Sequence, residues 1–181
     1  YFDYYLLHSL DEGAAKQAEE WGAFDFMLEK KAKGLVKHVG FSFHDKAEVL
    51  DKILTRHPEM EYVQLQLNYA DWEDSEVQSR KCYEVCVKYG KPVLVMEPIK
   101  GGMLANVPAE AEALLKGARP EMSVASWAIR FAASQENVFM VLSGMSDEQQ
   151  VEDNLSYMKD FAPLSDEEKD LVAKSAAIIK S

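Results

Sequence analysis

Several apolar runs of strand length end in a polar or small residue that could take part in chemistry. These residues are His8, Ser42, Asn68, Glu97 and Ser143. In parallel α/β folds, ligands bind at the carboxyl ends of the strands. A histidine at such a position could donate a hydrogen bond or a proton to a substrate oxygen on which negative charge develops. The pattern therefore predicts an active site at the strand ends, with His8 as one member.

Two glycine-containing segments are candidates for phosphate binding. Gly101-Gly102 would let the backbone approach a phosphate closely. Gly144 to Asp147 precedes a predicted helix, whose free N–H groups and dipole favour phosphate. A flexible turn and a plain N-cap are the respective alternatives. The other histidines, His38, His44 and His57, have no comparable setting, and we interpret them as surface or structural residues.

Strand-like and helix-like segments alternate along the chain. Short apolar runs predict strands that are buried on both faces, and apolar residues at three- and four-residue steps predict helices. The predicted strands are Tyr4–His8, Val36–Ser42, Tyr62–Asn68, Pro92–Glu97 and Val138–Ser143. The predicted helices are Trp21–Lys33, Lys46–His57, Ser75–Tyr89, Ser123–Ser134 and Asp147–Met158. A capping-box pattern, Ser165 to Glu168, opens a last helix.

Regular alternation of this kind predicts a parallel sheet with right-handed crossovers. The two solutions are an open doubly wound sheet and a closed barrel. No Gly-x-Gly-x-x-Gly follows a strand, which weakens the dinucleotide-binding open sheet. An eight-unit barrel needs about 250 residues. The fold class we predict is α/β, a partial (β/α)8 TIM barrel of five β/α units plus a C-terminal helix, and we treat residues 1–181 as one domain.

Composition narrows the function classes. The formal net charge of -11 argues against non-specific binding to nucleic acid or to an anionic membrane, both of which require basic patches. No apolar run approaches the roughly 20 residues of a membrane span. Cys82 and Cys86 are predicted to be reduced core thiols, and so few cysteines suit a cytoplasmic location. The chain starts on a strand pattern with neither a Met nor a basic leader, so we interpret it as cut from a longer parent.

Five segments, taken in order, resemble the aldo-keto reductases. They are Asp3 to His8, Gly40-Phe41-Ser42, Gln64 to Tyr69, Met96 to Leu104, and Ser143 to Ser146 followed by Gln150, Asp153 and Asn154. They are similar to strands four to eight of that family's barrel and to the loops and helix start that follow them. The resemblance covers the whole chain, and the ordered set is far more specific than any single segment.

The resemblance implies a role for each matched residue. His8 would be catalytic, Ser42 and Gln64 would contact the nicotinamide carboxamide, and Tyr69 and Trp72 would line the substrate pocket. The loop that wraps the pyrophosphate would be Met96, Glu97, Pro98, Ile99, Lys100, Gly101 and Gly102. The adenosine part would be bound by Gly144, Met145, Ser146, Gln150, Asp153 and Asn154. The implied activity is the NAD(P)-dependent reduction of aldehydes and ketones to alcohols.

The chain departs from the family pattern at four positions. Met96 stands where an aromatic ring often stacks on the nicotinamide, and Phe43 stands where an asparagine usually follows the serine. Gly144 and Gln150 replace the basic residues that bind the adenosine 2′-phosphate, so both NADP and NAD remain candidate cofactors. The sequences of two segments, Met96 to Gly102 and Gly144 to Ser146, resemble those of a bacterial subgroup. Members of that subgroup often carry an iron–sulfur segment further downstream. No iron–sulfur cluster and no other metal site is predicted for this chain.

The family's catalytic tyrosine, lysine and aspartate belong to the first three barrel units and match nothing in this chain. We therefore expect the chain alone to have negligible carbonyl reductase activity, although its parent would act on a small carbonyl substrate. The alternative is a non-catalytic partial barrel that binds nucleotide or a partner protein. Unpaired strand edges favour self-association through the open barrel edges. Neither nucleic acid nor a membrane is an expected partner.

Overall fold

The computed structural model describes all residues from Tyr1 to Ser181. Its five strands are β1 (Phe2–Leu10), β2 (Val36–Phe43), β3 (Tyr62–Gln66), β4 (Val93–Met96) and β5 (Val138–Val141). They form one sheet in the order of the chain, and the pairs β1–β2 and β2–β3 are parallel. An α/β fold with an open, partial barrel was the fold class predicted from the alternation of segments, and it is confirmed.

Eight α-helices connect or follow the strands. They are α1 (Glu12–Glu20), α2 (Ala23–Ala32), α3 (Ala47–Arg56), α4 (Ser79–Lys88), α5 (Ala109–Ala118), α6 (Val124–Ala133), α7 (Glu148–Met158) and α8 (Asp166–Lys180). The chain divides into two compact units. The first unit comprises residues 1–66 and 74–94, and the second comprises residues 67–73 and 95–181.

The first unit packs helices α1 to α4 around β1, β2 and β3. Its core includes Val39 and Phe41 of β2, Leu50 of α3 and Val63 of β3, all fully buried. Gly40 of β2 pairs with Tyr62 of β3, and a Cβ at position 40 would lie 2.4 Å from the Tyr62 carbonyl oxygen. Close approach of the backbone therefore requires glycine here. Cys82 and Cys86 are free and buried in α4, as the prediction of core thiols stated.

The second unit is built around α6, whose Trp127 and Ala128 are fully buried. Helix α8 begins with the predicted capping box, in which Ser165 and Glu168 bond each other's backbone N–H groups. Glu168 also pairs with Arg130 of α6 at 3.0 Å, and both side chains are buried. The start of α8 is thereby fastened to the central helix of the unit.

Several predicted helix boundaries differ from the structure. The predicted helix Trp21–Lys33 starts at Ala23, because Gly22 adopts a left-handed conformation with φ of 68°. The predicted helix Ser75–Tyr89 starts at Ser79, because Gln78 also has a positive φ, 53°. Helices α1 and α5 were not predicted. The predicted helices that begin at Ser123 and Asp147 are found, and these two residues are their N-caps, whose side chains accept hydrogen bonds from the backbone N–H groups of Ser126 and Gln150.

The expectation that every strand is buried on both faces is wrong for the two edge strands, β5, whose Phe139 and Met140 are 38% and 44% exposed, and β1. Phe2 is 62% exposed and Tyr4 is 44% exposed, whereas most of β2 is buried. The physical reason is that β1 is an edge strand, with β2 as its only neighbour in the sheet. His8 is also not the last residue of its strand, since β1 continues to Leu10. No helix combines the length and apolarity that a membrane span requires.

Candidate functional site

A β-bulge places His8 near the end of β1 in the first unit. Leu7 pairs with Phe41 and Leu10 pairs with Phe43, so that His8 and Ser9 together lie opposite the single residue Ser42. Ser9 has a φ of 60°, in the left-handed region. Bulges of this kind re-aim a side chain at the end of a strand. The exposed imidazole of His8 is presented by this local irregularity.

Ser42 anchors the bulge. The backbone N–H of Ser9 donates a hydrogen bond of 2.6 Å to Ser42 Oγ. Ser42 itself is fully buried and pairs in register with Gln64 of β3, so both side chains lie on the same face of the sheet. Ser42 Oγ is the acceptor in its bond with Ser9, so its own hydroxyl proton is not used in that bond. The three predicted residues of the first unit, His8, Ser42 and Gln64, are thus neighbours.

His44 follows β2 and lies near His8. Its backbone N–H donates to the Leu10 carbonyl at 2.9 Å, which closes the end of β1 against the end of β2. Partial burial lowers the pKa of His44 below its ordinary 6.5, and the charge of His8 lowers it further. His44 also lines a cavity of about 270 Å³ with Asp45, Glu76 and Cys82. Neither this cavity nor the proximity of the two histidines was predicted.

The second unit contains a cavity of about 280 Å³. Its walls come from the loop after β4, the segment after β5 and the first turns of α7. Ten of the fifteen predicted cofactor-binding residues line it: Glu97, Pro98, Ile99, Gly101, Gly102, Gly144, Met145, Gln150, Asp153 and Asn154. Segments that are far apart in the sequence therefore meet around one space.

The loop 97–102 reaches the cavity through an unusual backbone. Glu97 and Lys100 have φ of 55° and 49°, and Gly101 and Gly102 have φ of 61° and 94°. Left-handed conformations suit glycine but are strained for residues with a side chain. Two non-glycine residues in this conformation within four positions indicate a loop that the surrounding structure holds in place.

Two residues hold this loop, Asn68, which was predicted as a strand-end residue without a role, and Asp71, which was not predicted. The amide of Asn68 donates to the Glu97 carbonyl at 3.1 Å and to the Asp71 carboxylate at 2.8 Å. Asp71 also accepts from Lys100 Nζ at 2.5 Å. The strand-end position of Asn68 is visible in the sequence, but its pairing with Glu97 and the role of Asp71 were not predicted. Glu97 and Lys100 follow Asn68 and Asp71 by 29 residues, and a contact over such a separation cannot be predicted from local sequence patterns.

The start of α7 is organised by its own side chains. The Asp147 carboxylate caps the Gln150 N–H at 2.8 Å, and Gln150 Oε1 accepts from the Ser146 N–H at 2.7 Å. The capping carboxylate occupies the helix N-terminus, so the plain N-cap is the alternative that the geometry favours over phosphate binding there. Further along the helix, Asp153 accepts from Ser123 at 2.6 Å, and Asn154 donates to Ser143 Oγ at 2.8 Å.

The remaining predicted residues of the second unit lie beside the cavity or away from it. The ammonium of Lys100 forms an ion pair with Asp71. Met96 is the last residue of β4 and is half-buried. Tyr69 is 3% exposed and meets Phe131 edge-on, as Trp72 also does. Burial raises the pKa of Tyr69 to about 12. This placement favours a packing role for Tyr69 over the predicted contact with substrate.

The cavity is acidic. Glu97 and Asp153 line it, and no lysine or arginine does. No cluster of three or more histidine, cysteine, aspartate or glutamate side chains in the structure could hold a metal ion. The carboxylates around this space therefore favour a ligand that offers hydroxyl or amide donors to them.

The five-stranded sheet and its helices define an α/β protein of the barrel class, in which the ends of the strands are the usual place for a ligand site. A sequence model of the aldo/keto reductase family matches residues 1–177, and the chain belongs to this family. No curated protein matches the chain.

Solved structures of similar fold agree with this assignment. An aldo-keto reductase from Bacillus halodurans in its holo form superposes with a TM-score of 0.72 at 18% identity, over 97% of this chain and 61% of that one. One from Klebsiella pneumoniae, in complex with NADP and acetate, gives 0.71 at 19% identity, over 96% and 58%. One from Brucella melitensis gives 0.69 at 18% identity, over 96% and 60%. The chain thus spans about three-fifths of the length of these proteins.

Proposed function

We propose that this chain provides most of the cofactor site, and one catalytic residue, of an NAD(P)-dependent oxidoreductase that reduces aldehydes or ketones to alcohols. The observation that carries the proposal is the cavity of the second unit, which gathers ten of the residues that were predicted to bind the cofactor. The Klebsiella pneumoniae relative in complex with NADP supports a nicotinamide dinucleotide as the ligand. When bound, the nicotinamide would supply the hydride.

In the second unit, the loop 97–102 is proposed to wrap the pyrophosphate. Gly101 and Gly102 lack side chains, so a phosphate oxygen can approach the backbone closely at these positions. Gln150, Asp153 and Asn154 present amide and carboxylate groups to the other side of the cavity. Those groups can bond the hydroxyls and ring nitrogens of an adenosine.

In the first unit, Ser42 and Gln64 are proposed to bind the nicotinamide carboxamide. The Ser42 hydroxyl and the Gln64 amide lie on one face of neighbouring strands, which is the arrangement that a planar amide with one donor and one acceptor group requires. His8 is proposed to donate a hydrogen bond to the substrate carbonyl oxygen, where negative charge develops as the hydride arrives. Its exposure leaves the imidazole accessible to a substrate.

We propose NAD(H) as the preferred cofactor. NADP(H) differs from it by a phosphate on the adenosine ribose, which proteins usually bind with arginine or lysine. The cavity offers carboxylates from Glu97 and Asp153 and no cationic side chain. An additional phosphate in this space would meet like charge, whereas a free ribose hydroxyl would find acceptors.

Perturbation of amide resonances by NADH tests which residues form the site. We expect the largest shifts in ¹H–¹⁵N spectra at Gly101, Gly102 and Gly144 of the second unit, and at Ser42 and Gln64 of the first. Shifts concentrated around His44 and Cys82 would assign binding to the other cavity and contradict the proposal. An absence of shifts at saturating NADH would also contradict it.

Turnover by the 181-residue chain is expected to be negligible, since no residue here matches the family's proton donor. The assay is the oxidation of NADH or NADPH in the presence of aromatic and aliphatic aldehydes, followed at steady state. Clear turnover by this chain would show that the proton donor has been misassigned. Binding without turnover is the expected result.

The exposed edge of β1 favours a second function, association with another protein surface. Tyr1, Phe2, Tyr4 and Tyr5 leave much of their apolar area in water along this strand. We propose that the chain self-associates through this edge. Sedimentation of the chain as a monomer over a wide concentration range would contradict self-association, and the variant Tyr5→Lys should shift any dimer toward monomer.

A further inference from the structure

We infer that Asn68 and Asp71 are positioning residues that, with Lys100, hold the loop 97–102 in its ligand-binding conformation. The effect that we expect on cofactor affinity rests on the proposed function. The conformation of the loop can be measured without any cofactor. Asn68, Asp71 and Lys100 are called the positioning network below.

The buried carboxylate of Asp71 is the centre of the network. Asp71 is 2% exposed, and a buried charge is costly unless it is paired and hydrogen-bonded. It receives a hydrogen bond from the Asn68 amide at 2.8 Å and the ammonium of Lys100 at 2.5 Å. The need of this carboxylate for a cation therefore fixes the position of Lys100.

Asn68 uses both ends of its amide. Its nitrogen donates to Asp71 and to the Glu97 carbonyl, and its oxygen accepts from the Asp71 N–H at 2.8 Å. Asn68 is fully buried, so any loss of these bonds would leave polar groups unpaired away from water. An aspartate at this position could not donate to the Glu97 carbonyl, although it has nearly the same shape.

The network contacts the loop at its two strained residues. Asn68 binds the carbonyl of Glu97, and Asp71 binds the side chain of Lys100. Glu97 and Lys100 are the loop's two non-glycine residues with positive φ. Such conformations persist only where the surrounding structure enforces them. Without the network, the loop would relax toward ordinary backbone angles and the wall of the cavity would move.

The network gives Lys100 a different role from the one implied by the family resemblance. The resemblance places it among the pyrophosphate ligands, yet its ammonium is held by a buried carboxylate and it does not line the cavity. Lys100 thus acts on the ligand through the loop that it fastens, and it contributes to affinity without contacting the ligand.

Hydrogen–deuterium exchange of the full chain without nucleotide tests the first part of the inference. The amides of Gly102 and Leu104, which bond the Ile99 carbonyl, report on the loop. In Asp71→Asn, Asn68→Asp and Lys100→Met they are expected to exchange about tenfold faster than in the wild type, because local opening becomes easier. The control Lys174→Met, on the exposed face of α8, should leave these rates unchanged.

Calorimetric titration with NADH tests the second part. The same variants are expected to bind about tenfold or more weakly, as is common when a binding group is displaced by an ångström. Lys100→Arg, which keeps the cation, should restore most of the affinity that Lys100→Met loses. A direct phosphate contact by Lys100 would instead leave the loop rates of Lys100→Met at the wild-type value while affinity falls.

Wild-type exchange rates in the three variants would overturn the inference whatever the nucleotide does. A wild-type chain that binds no NADH would refute the proposed function, while the exchange rates would still decide the role of the network. Lys100 is partly exposed, so Lys100→Met is expected to fold even if a buried variant does not. The exchange rates of that variant alone therefore suffice to support or overturn the inference.

Discussion

The ammonium of Lys100 lies 2.5 Å from the carboxylate of Asp71, and this ion pair commits the loop's lysine to a buried partner. The cavity beside the loop is left with the carboxylates of Glu97 and Asp153 as its charged side chains. The cavity is therefore negatively charged because Asp71, which does not line it, binds the ammonium of Lys100. For the same reason the cofactor that we propose is NAD(H), which has one phosphate fewer than NADP(H).

A cation added to the cavity should change the cofactor preference. Gln150→Arg places a guanidinium at a lining position, where it can bind a ribose phosphate with two hydrogen bonds. We expect the affinity for NADPH to rise by about tenfold relative to that for NADH, the size of one good charge-assisted contact. Gln149→Arg, on the same helix but outside the cavity, is the control. An unchanged ratio of the two dissociation constants would contradict the assignment of this region to the adenosine ribose.

The contact between Gly40 and Tyr62 should make any larger residue at position 40 destabilising. Gly40→Ala would bring a Cβ to 2.4 Å from the Tyr62 carbonyl oxygen, which is backbone and cannot rotate away. We expect a loss of about 1–3 kcal/mol in the free energy of unfolding, as overpacking usually produces. Urea unfolding measures it.

Gly117→Ala is the matched control for this change. Gly117 lies in α5, and a Cβ there would meet nothing within 4 Å. Alanine is a better helix former, so the control is expected to gain about 0.5–1 kcal/mol. Equal effects of the two substitutions would contradict the close approach of β2 and β3.

Removal of Arg130 should destabilise the second unit in a pH-dependent way. Burial alone would raise the pKa of Glu168, but Arg130, the Ser165 backbone and Arg119 together hold it below 4.5. This carboxylate therefore stabilises the fold above pH 4.5, and the contribution is lost as the pH falls through its folded-state pKa.

Arg130→Met leaves Glu168 buried without its main partner, so we expect a cost of about 3–5 kcal/mol at pH 7 and a smaller cost near pH 4. Urea unfolding at the two pH values checks it. Lys169→Met removes an exposed pair with Asp166 and should change little. A cost for Arg130→Met that is the same at both pH values would contradict the ion pair as its cause.

The titration of His44 should report on His8. The folded-state pKa of His44 lies below 6.5, mainly because of partial burial and also because of the nearby imidazole of His8. The neutral form therefore stabilises the fold above pH 6.5, and this contribution is lost as the pH falls through the lowered pKa.

In His8→Gln, the pKa of His44 should rise part of the way to its ordinary value, since burial remains. NMR titration of the imidazole protons measures this, and His38→Gln, which removes an exposed imidazole elsewhere on β2, is the control. An identical His44 pKa with and without His8 would contradict an electrostatic interaction between the two histidines.

Much of the fold could be predicted from the sequence because each strand carries its own apolar signal. The five strands, the helix starts at Ser123 and Asp147 and the capping box at Ser165 were found from local patterns. Helix α1 was missed because four alanine and glycine positions among its nine residues give a weak apolar stripe. The exposure of β1 depends on its position in the sheet, which its own residues do not encode.

The candidate site was predictable where it follows strand ends and glycines, and it was not where it depends on long-range pairing. The lining residues Glu97, Pro98, Ile99, Gly101 and Gly102 came from one contiguous segment of the chain. The bulge at Ser9 depends on a hydrogen bond to Ser42, thirty-three residues away. Asn68 and Asp71 act on a loop twenty-nine residues further along the chain, and only the folded structure shows the contact.

Calorimetric titration with NADH, applied to the chain and to Gly144→Leu, decides whether this cavity is a nicotinamide dinucleotide site. A Cβ at Gly144 meets nothing within 4 Å, so a leucine there should enter the cavity without disturbing the fold. We expect saturable 1:1 binding by the chain, and loss of that binding in Gly144→Leu at an unchanged melting temperature. Equal affinity in the two proteins, or no binding by either, would contradict a nicotinamide dinucleotide site in this cavity.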